Sequence, residues 1–268
     1  MTDVRVTSWQ QLGDELFAES WRPALGRFRS NFAFRGMNRA PEDLTTSLTR
    51  LGGPPQAGSE GHLLRNFRKY AHRDAVPGDS TWNWLALAQQ HGLPTRLLDW
   101  TFSPLVAMHF ATQNLANFAV DGIVWCVDYI QVHKLLPMKL RRILRDEQAD
   151  VFTTEMLARA APTLPRFDKL AGARDHFVVF LEPPSLNDRL VNQFALMSVM
   201  SSPRARLDRW LGDHPRLGRR IIIPASLKWE IRDKLDQANI TERVLFPGLD
   251  GLSRWLKRYY SPRVRTGQ

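Results

Sequence analysis

The order of strand-like and helical patterns is the feature that most restricts the fold of this chain. Apolar runs typical of buried strands occur at residues 31–36, 95–100, 121–128, 176–181, 194–200, 219–223 and 243–246. Patterns typical of helices occur at residues 8–17, 59–73, 80–90, 203–211, 226–237 and 249–260, with a further helix beginning at Ser103-Pro104. The two kinds follow one another without steady strand–helix alternation, and no repeat is present. We therefore predict an α+β fold in a single domain over residues 1–268, with residues 129–175, mostly helical or irregular, as an insertion.

The charge of the chain is its one compositional anomaly. The 268 residues include 37 Lys and Arg against 27 Asp and Glu, a net charge of +10. Residues 203–268 hold 15 of these cations and 7 of the anions, so most of the excess is C-terminal. This basic part, which includes Arg263 and Arg265, is either a face that contacts phosphates or a solvated surface that keeps the protein soluble. The sequence leaves both interpretations open.

Several classes of protein are disfavoured. The first residues lack the apolar stretch of a secretory signal, and no apolar run approaches the roughly 20 residues of a membrane helix. The single cysteine, Cys126, lies in a strand-like run and is expected to be a buried, inert thiol in a cytoplasmic protein. The histidines show no metal-ligand spacing, so no metal is expected, and Walker, dinucleotide-binding and nucleophile-elbow motifs are missing from the sequence.

The segment with the most chemistry is residues 91–101, which read HGLPTRLLDWT. In a strand over its second half, Thr95, Asp99 and Thr101 would share one face. An Arg and an Asp from neighbouring strands suit a ribose diol and a phosphate. The alternative is a structural network in which Arg96 pairs with Asp99 and His91 caps the preceding helix.

A second segment, Asn31 to Gly36, ends an apolar run with Arg35-Gly36. An arginine at this position needs a partner, and a glycine lets a ligand approach the backbone closely. Taken by themselves, the two residues favour the alternative, a buried salt bridge beside a turn glycine with Asp99 as the partner of Arg35.

Together these segments resemble the FRG domain family, which is named for its Phe/Tyr-Arg-Gly motif. The resemblance rests on Phe34-Arg35-Gly36, on HGLPTRLLDWT at residues 91–101, and on Ser103-Pro104-Leu105-Val106-Ala107. It extends broadly from Trp9 to the segment LFPGLDGL at residues 245–252. At residues 189–197 the family's Arg…Gln-x-Gly-x-Phe pattern is altered, because Ala195 and Met197 replace the glycine and the aromatic residue.

This resemblance implies a split β-sheet core similar to that of ADP-ribosyltransferases, with NAD as the substrate. Arg35 would hold the NAD diphosphate or ribose, and the Gly36 backbone would hold the nicotinamide amide. Thr101 or Asp99 would line the nicotinamide pocket, and Gln193 would stand where many transferases carry a glutamate. His91, Thr95 and Arg96 are further candidates for NAD contacts. Since glutamine supplies no charge and cannot act as a base, either Asp99 takes that role or the pocket binds without turnover.

The resemblance therefore implies an ADP-ribosyltransferase, a bacterial toxin or defence effector that modifies RNA or DNA. The alternative is a non-catalytic module that senses a nucleotide or a nucleic acid. A third possibility is a toxin held by an antitoxin or another regulatory protein, with residues 129–175 as the docking insertion. Tyr259 and Tyr260, near the basic C-terminus, are the best candidates for stacking on bases.

Overall fold

The structure is a computed structural model that describes residues 1–40, 42–52, 57–71, 78–172, 176–185 and 187–262. Arg263 and Arg265 lie outside these ranges, as does the end of the helix predicted at 59–73.

Ten strands are present in this described part of the chain. They are β1 (Thr2–Arg5), β2 (Trp21–Arg22), β3 (Arg27–Phe28), β4 (Phe32–Met37), β5 (Leu97–Thr101), β6 (Gly122–Asp128), β7 (Phe152–Thr153), β8 (Val178–Glu182), β9 (Ala195–Met200) and β10 (Gly218–Ile223). Eight of them form one sheet in the order β1-β10-β6-β4-β5-β9-β8-β7, and β2 pairs with β3 in a separate hairpin. The outermost pairs, β1 with β10 and β7 with β8, are parallel, and the others are antiparallel.

The helices of the described residues surround this sheet. They are α1 (Trp9–Phe17), α2 (Ser47–Arg50), α3 (Ala57–Ala71), α4 (Thr81–Gln90), α5 (Pro104–Thr112), α6 (Tyr129–Lys134), α7 (Met138–Asp146), α8 (Thr154–Ala160), α9 (Leu164–Asp168), α10 (Asp188–Asn192), α11 (Leu207–Asp213), α12 (Lys228–Gln237), α13 (Glu242–Leu245) and α14 (Leu249–Tyr259). The prediction of mixed helices and strands is thus confirmed, as a mixed α/β fold on one large sheet. Among the described residues, none of these helices has the length and apolar character needed to cross a membrane.

Local sequence explains where several helices begin. Ser103 caps α5 through a bond from the Val106 amide, and Pro104 occupies its first turn. Ser8 likewise accepts from the Gln11 amide at the start of α1. The Gln11 side chain accepts from the backbone amide of Thr7, the residue before this N-cap.

Two predicted elements were wrong in detail. Residues 243–246 were expected to be extended but form most of α13, because the Thr241 hydroxyl accepts from the Val244 amide and starts a helical turn. The helix expected at 203–211 begins only at Leu207. The short strands β1, β2, β3 and β7 and the short helix α2 were not predicted, since segments of two to four residues carry little periodicity.

One interruption in the sheet positions the site. Strands β4 and β6 pair at six positions, whereas β4 and β5 pair at one, Phe34 with Thr101. β5 remains fully paired with β9 on its other side. The sheet therefore opens between β4 and β5 immediately beyond Phe34.

Three apolar cores are arranged around this opening. One covers β4, β6 and β10 with α1, α5 and α12, and contains Phe34. A second covers β5, β8 and β9 with α4, α7, α8 and α9, and contains Leu97. The third packs on the opposite face of both halves and contains Trp100 and Trp125. Since Phe34 and Leu97 point to the same face, the opening lies between two separate groups of helices.

The lone cysteine behaves as predicted. Cys126 is fully buried in β6 within the first of these cores. Burial raises the pKa of its thiol to about 12, so it remains protonated at neutral pH and is a poor nucleophile.

Candidate functional site

A cleft of about 280 Å³ occupies the opening between β4 and β5. Its walls include Arg35 and Gly36 from β4, Asp99 and Thr101 from β5, and Gln193 from the end of α10. The residues that the sequence proposed as catalytic, Arg35, Asp99 and Gln193, are therefore brought together in one cavity. That they act in catalysis stays a prediction.

Arg35 bridges the opening. Its Nη1 donates to the backbone oxygen of Asp99 at 2.5 Å, close to where a strand-to-strand hydrogen bond would run if the sheet were continuous. Its Nε is buried and has no hydrogen-bond partner among the described residues. Burial lowers the pKa of Arg35, and the charge of Asp99 partly opposes this. Arg35 thus remains a cation with one donor unused, as a group that binds an anionic ligand would be.

Arg35 and Asp99 do not form the salt bridge that the sequence left open. The guanidinium contacts the main chain of Asp99, and the Asp99 carboxylate accepts from the Gln89 side chain at 3.0 Å. Gln89 in turn accepts from the Thr95 hydroxyl at 2.5 Å. The carboxylate is exposed, with no cation within 4.0 Å among the described residues. The Gln89 side chain therefore orients the Asp99 carboxylate, which remains free to face a ligand.

Gly36 is required for a reason that the sequence did not suggest. A Cβ on this residue would lie 1.8 Å from the Ala107 carbonyl oxygen and 2.8 Å from the Ala111 nitrogen. The glycine therefore lets α5 pack directly against β4. α5 therefore fills the space on the Cβ side of Gly36, while the Gly36 backbone also lines the cleft, and its contact with the nicotinamide amide stays a prediction.

Thr101 and Gln193 connect the two walls of the cleft. The Thr101 hydroxyl donates to the Gln193 backbone oxygen at 2.7 Å and accepts from the Ser103 amide at 3.0 Å. The Gln193 side chain donates through Nε2 to the Leu245 carbonyl at 2.9 Å. Gln193 ends α10 and precedes β9, so it does not lie on the strand itself.

The turn that follows Gln193 is tight although the family's glycine is missing. Phe194 takes a left-handed conformation with φ of 47° and is exposed, while Ala195 begins β9 with ordinary strand pairing. A left-handed Phe costs of order 1 kcal/mol, and the chain makes this turn with Phe194 although Ala195 replaces the family's glycine.

Three proposed NAD contacts do not reach the cleft. Arg96 is buried and paired with Glu60 of α3 and Asp168 of α9, so the predicted pair with Asp99 was also wrong. Thr95 is buried, and its hydroxyl holds Gln89. His91 is the C-cap of α4, as the structural interpretation predicted. The structure gives all three a part in the support of the cleft and none a place in its lining.

The sequence missed other groups in the lining. Glu42 and Arg50 come from the segment after β4, Phe110 from α5, and Arg189 from α10. Glu42 and Arg50 carry no sequence signal, since they stand in irregular or very short elements. The i, i+3 spacing from Pro104 could have placed Phe110 on the helix face toward the opening.

The comparisons with known proteins agree with the family suggested by the motifs. Residues 30–119 match the sequence profile of the FRG domain. The chain contains an FRG domain. The comparison with curated proteins and that with solved structures gave no match.

The FRG domain supplies one part of the site. The matched segment begins just before β4 and extends beyond α5, so it includes Arg35, Asp99 and Thr101. Arg189 and Gln193, which complete the cleft, lie outside the matched segment.

Proposed function

We propose that the cleft between β4 and β5 binds NAD as a substrate and transfers its ADP-ribose. The observation that carries this proposal is the meeting of Arg35, Asp99 and Gln193 in one cavity at a break in the sheet. An unused donor on Arg35 suits a phosphate or ribose oxygen, and the exposed Asp99 carboxylate on the neighbouring strand suits the sugar. The opening between β4 and β5 supports the proposal, because the ADP-ribosyltransferase resemblance implies a split sheet.

The proposed reaction is a substitution at the nicotinamide riboside. The bond from ribose C1′ to the nicotinamide nitrogen breaks, and its electron pair returns to the pyridine ring. An acceptor oxygen or nitrogen forms the new bond to C1′ and releases its proton to Asp99 or to water. The Asp99 carboxylate stabilises the positive charge that develops on the ribose. Because the Gln193 nitrogen is held by Leu245, the Gln193 oxygen is the atom available to accept from a ribose hydroxyl.

The acceptor that we propose is a polyanion, RNA or DNA, consistent with the net charge of +10. A toxin or defence effector in the cytoplasm, restrained by an antitoxin or another regulatory protein, is the biological setting we propose.

The test is nicotinamide release from labelled NAD in the presence of mixed RNA, DNA and protein. We expect release by the wild-type protein and a loss of about 100-fold in rate for Asp99→Asn, which keeps the size of the side chain and removes its charge. Asp213→Asn is the matched control, because Asp213 is exposed and lies outside the cleft. Equal rates for the wild type and Asp99→Asn would refute the role of Asp99.

A second candidate function is a non-catalytic nucleotide or nucleic-acid sensor. It is favoured by Gln193, an amide whose nitrogen is occupied by a backbone carbonyl where transferases place a carboxylate. The sensor predicts saturable NAD binding by calorimetry with no nicotinamide formed on long incubation. Slow release of nicotinamide by the wild type would exclude it.

A further inference from the structure

A second cavity of about 540 Å³ adjoins the cleft. Asn38 and Gln113 line both cavities. A ligand in the second cavity therefore lies beside the proposed reaction centre, on the side where α14 passes.

Two cations of α14 line this second cavity without a charged partner. Arg254 and Lys257 are exposed, and neither has a carboxylate within 4.0 Å among the residues that the structure describes. Arg258, on the same helix, differs in being buried and ion-paired with Glu242 and Asp236. The acidic residue of the cavity wall, Glu242, is thus already neutralised, which leaves the charge of Arg254 and Lys257 uncompensated.

Phe246 lies between the two cavities. Each cavity contributes one guanidinium group that lies over the Phe246 ring. The central carbons of Arg189 and Arg254 each lie 5.0 Å from the Phe246 ring centroid. Arg189 lines the first cavity and Arg254 the second. The like charge of Arg254 adds to burial in lowering the pKa of Arg189, so anions bound along this line would relieve a repulsion.

These cations are presented on a firmly packed helix. A Cβ on Gly251 would lie 1.8 Å from the Phe246 carbonyl oxygen, so α14 sits directly against the end of α13. Arg258 also fixes α14 in place through hydrogen bonds to Glu242 and Asp236. The positions of Arg254 and Lys257 are therefore set before any ligand arrives, which reduces the entropy lost on binding.

Exposed aromatic rings follow the cations at the C-terminal end of α14, where the Tyr259 ring packs on Trp255 with the ring centroids 5.3 Å apart. Tyr259 and Tyr260 are 57% and 78% exposed, and their ring centroids lie 5.5 Å apart. Regularly spaced cations would suit an acidic peptide or a nucleic acid, but unburied aromatic rings beside them favour a ligand with π-faces.

We propose that the second cavity and the outer face of α14 form an acceptor subsite for single-stranded nucleic acid. Successive phosphates contact Arg189, Arg254 and Lys257, and unpaired bases stack on Tyr259 and Tyr260. The strand brings a base or hydroxyl nucleophile past Asn38 and Gln113 toward ribose C1′. The role as acceptor rests on the proposed transferase function, whereas the binding itself does not.

The test is a binding titration without NAD, using the full chain and fluorescein-labelled single-stranded RNA and DNA of 12 nucleotides. The double variant Arg254→Gln/Lys257→Gln removes two charges from the subsite. Its control, Arg209→Gln/Arg216→Gln, removes two charges from exposed arginines that line neither cavity. All four side chains are exposed, so both variants should fold, and thermal unfolding checks this.

We expect the subsite variant to weaken oligonucleotide binding about tenfold at physiological salt and the control variant to bind like the wild type. A plot of log affinity against log salt concentration has a negative slope. The magnitude of this slope should be smaller by about 1.4 in the subsite variant, about 0.7 for each lost phosphate contact. The Tyr260→Ala variant should also bind the single strand less tightly than the wild type. A duplex of the same length should bind less tightly than the single strand, because its bases cannot stack on the tyrosines.

Equal weakening in the two double variants would overturn the subsite, and so would displacement of the oligonucleotide by a polyglutamate peptide at equal concentration. Oligonucleotide binding that depends on Arg254 and Lys257 without any NAD consumption would leave the subsite standing and refute the transferase. NAD consumption with no such binding would do the reverse.

Discussion

Single residues of the cleft differ in whether they serve packing or ligand contact. Arg35 keeps a buried donor without a partner in the described part of the chain, while Asp99 presents an exposed carboxylate held by Gln89. Gly36, the neighbour of Arg35, faces α5 and has no room for a side chain. The Arg-Gly motif thus combines a residue available for binding with a residue needed for packing.

We expect Gly36→Ala to lower the free energy of unfolding by about 3 kcal/mol or more, because its Cβ would meet the Ala107 carbonyl at 1.8 Å. Gly13→Ala is the matched control, since Gly13 lies within α1 and nothing approaches its Cβ position within 4 Å. That variant should be more stable by about 0.5–1 kcal/mol, as alanine favours a helix interior. Urea unfolding of both variants measures the difference, and two equal changes would contradict the packing role.

At the scale of elements, α14 depends on one buried cluster of charges. Arg258 bonds through its guanidinium nitrogens to both Glu242 at the start of α13 and Asp236 in α12. Burial by itself raises the pKa of Glu242, but the Arg258 hydrogen bond and the Arg232 charge outweigh it and lower this pKa to about 2. The cluster therefore joins three helices at the second cavity.

Replacement of Arg258 by Ala should destabilise the protein by about 3–5 kcal/mol, because Glu242 would keep a buried charge without its partner. Arg209→Ala, at an exposed position of α11, should change stability by less than about 0.5 kcal/mol. Hydrogen exchange should locate the loss, with faster exchange of the α14 amides in the first variant. Unchanged protection of α14 would show that the helix is held by its apolar face alone.

For the molecule as a whole, three arginines of the basic C-terminal part pair with acids from earlier in the chain. Arg219 contacts Glu19, Arg220 contacts Asp3, and Arg206 contacts Asp43. These pairs join the C-terminal part to earlier segments of the chain. Among the described C-terminal cations that form no ion pair, Arg254 and Lys257 line the second cavity.

Two buried histidines make the whole fold sensitive to acid. His133 donates through Nδ1 to the Asp150 oxygen and accepts at Nε2 from the Phe180 amide, an arrangement that requires the neutral ring. Burial lowers the pKa of His133 to about 4, and burial with the Arg232 charge lowers that of His109 to about 3. Each histidine takes up a proton in the unfolded chain at higher pH than in the folded one.

The free energy of unfolding should accordingly have its full value above about pH 6.5 and decrease as the pH drops toward 4. Between pH 7.5 and pH 5.0 we expect a loss of about 2 kcal/mol for each histidine, measured by urea unfolding. His133→Gln keeps a donor and an acceptor and should remove about half of the combined loss of the two histidines. His62→Gln, at an exposed position of α3, should leave the combined loss unchanged. A loss unaffected by either variant would assign the acid sensitivity to other groups.

The sequence by itself determined the local elements and the two motifs of the site. Ser103-Pro104 starts α5, and apolar runs locate most of the long strands, because capping and periodicity depend on residues close together in the chain. It also identified Arg35 and Asp99 as the groups to watch, although it could not separate a ligand contact from a salt bridge.

Only the tertiary structure decided which polar residues face the cleft and which cations stay free. Strand alternation places Arg96 and Asp99 on different faces but does not name the partner of Arg96. In the structure that partner includes Asp168, 72 residues away in the sequence. Arg219 is likewise neutralised by Glu19 across 200 residues of sequence. Such pairs form between distant segments once the sheet and helices pack, and the partner that a charge finds is a property of that packing and not of its neighbours in the chain.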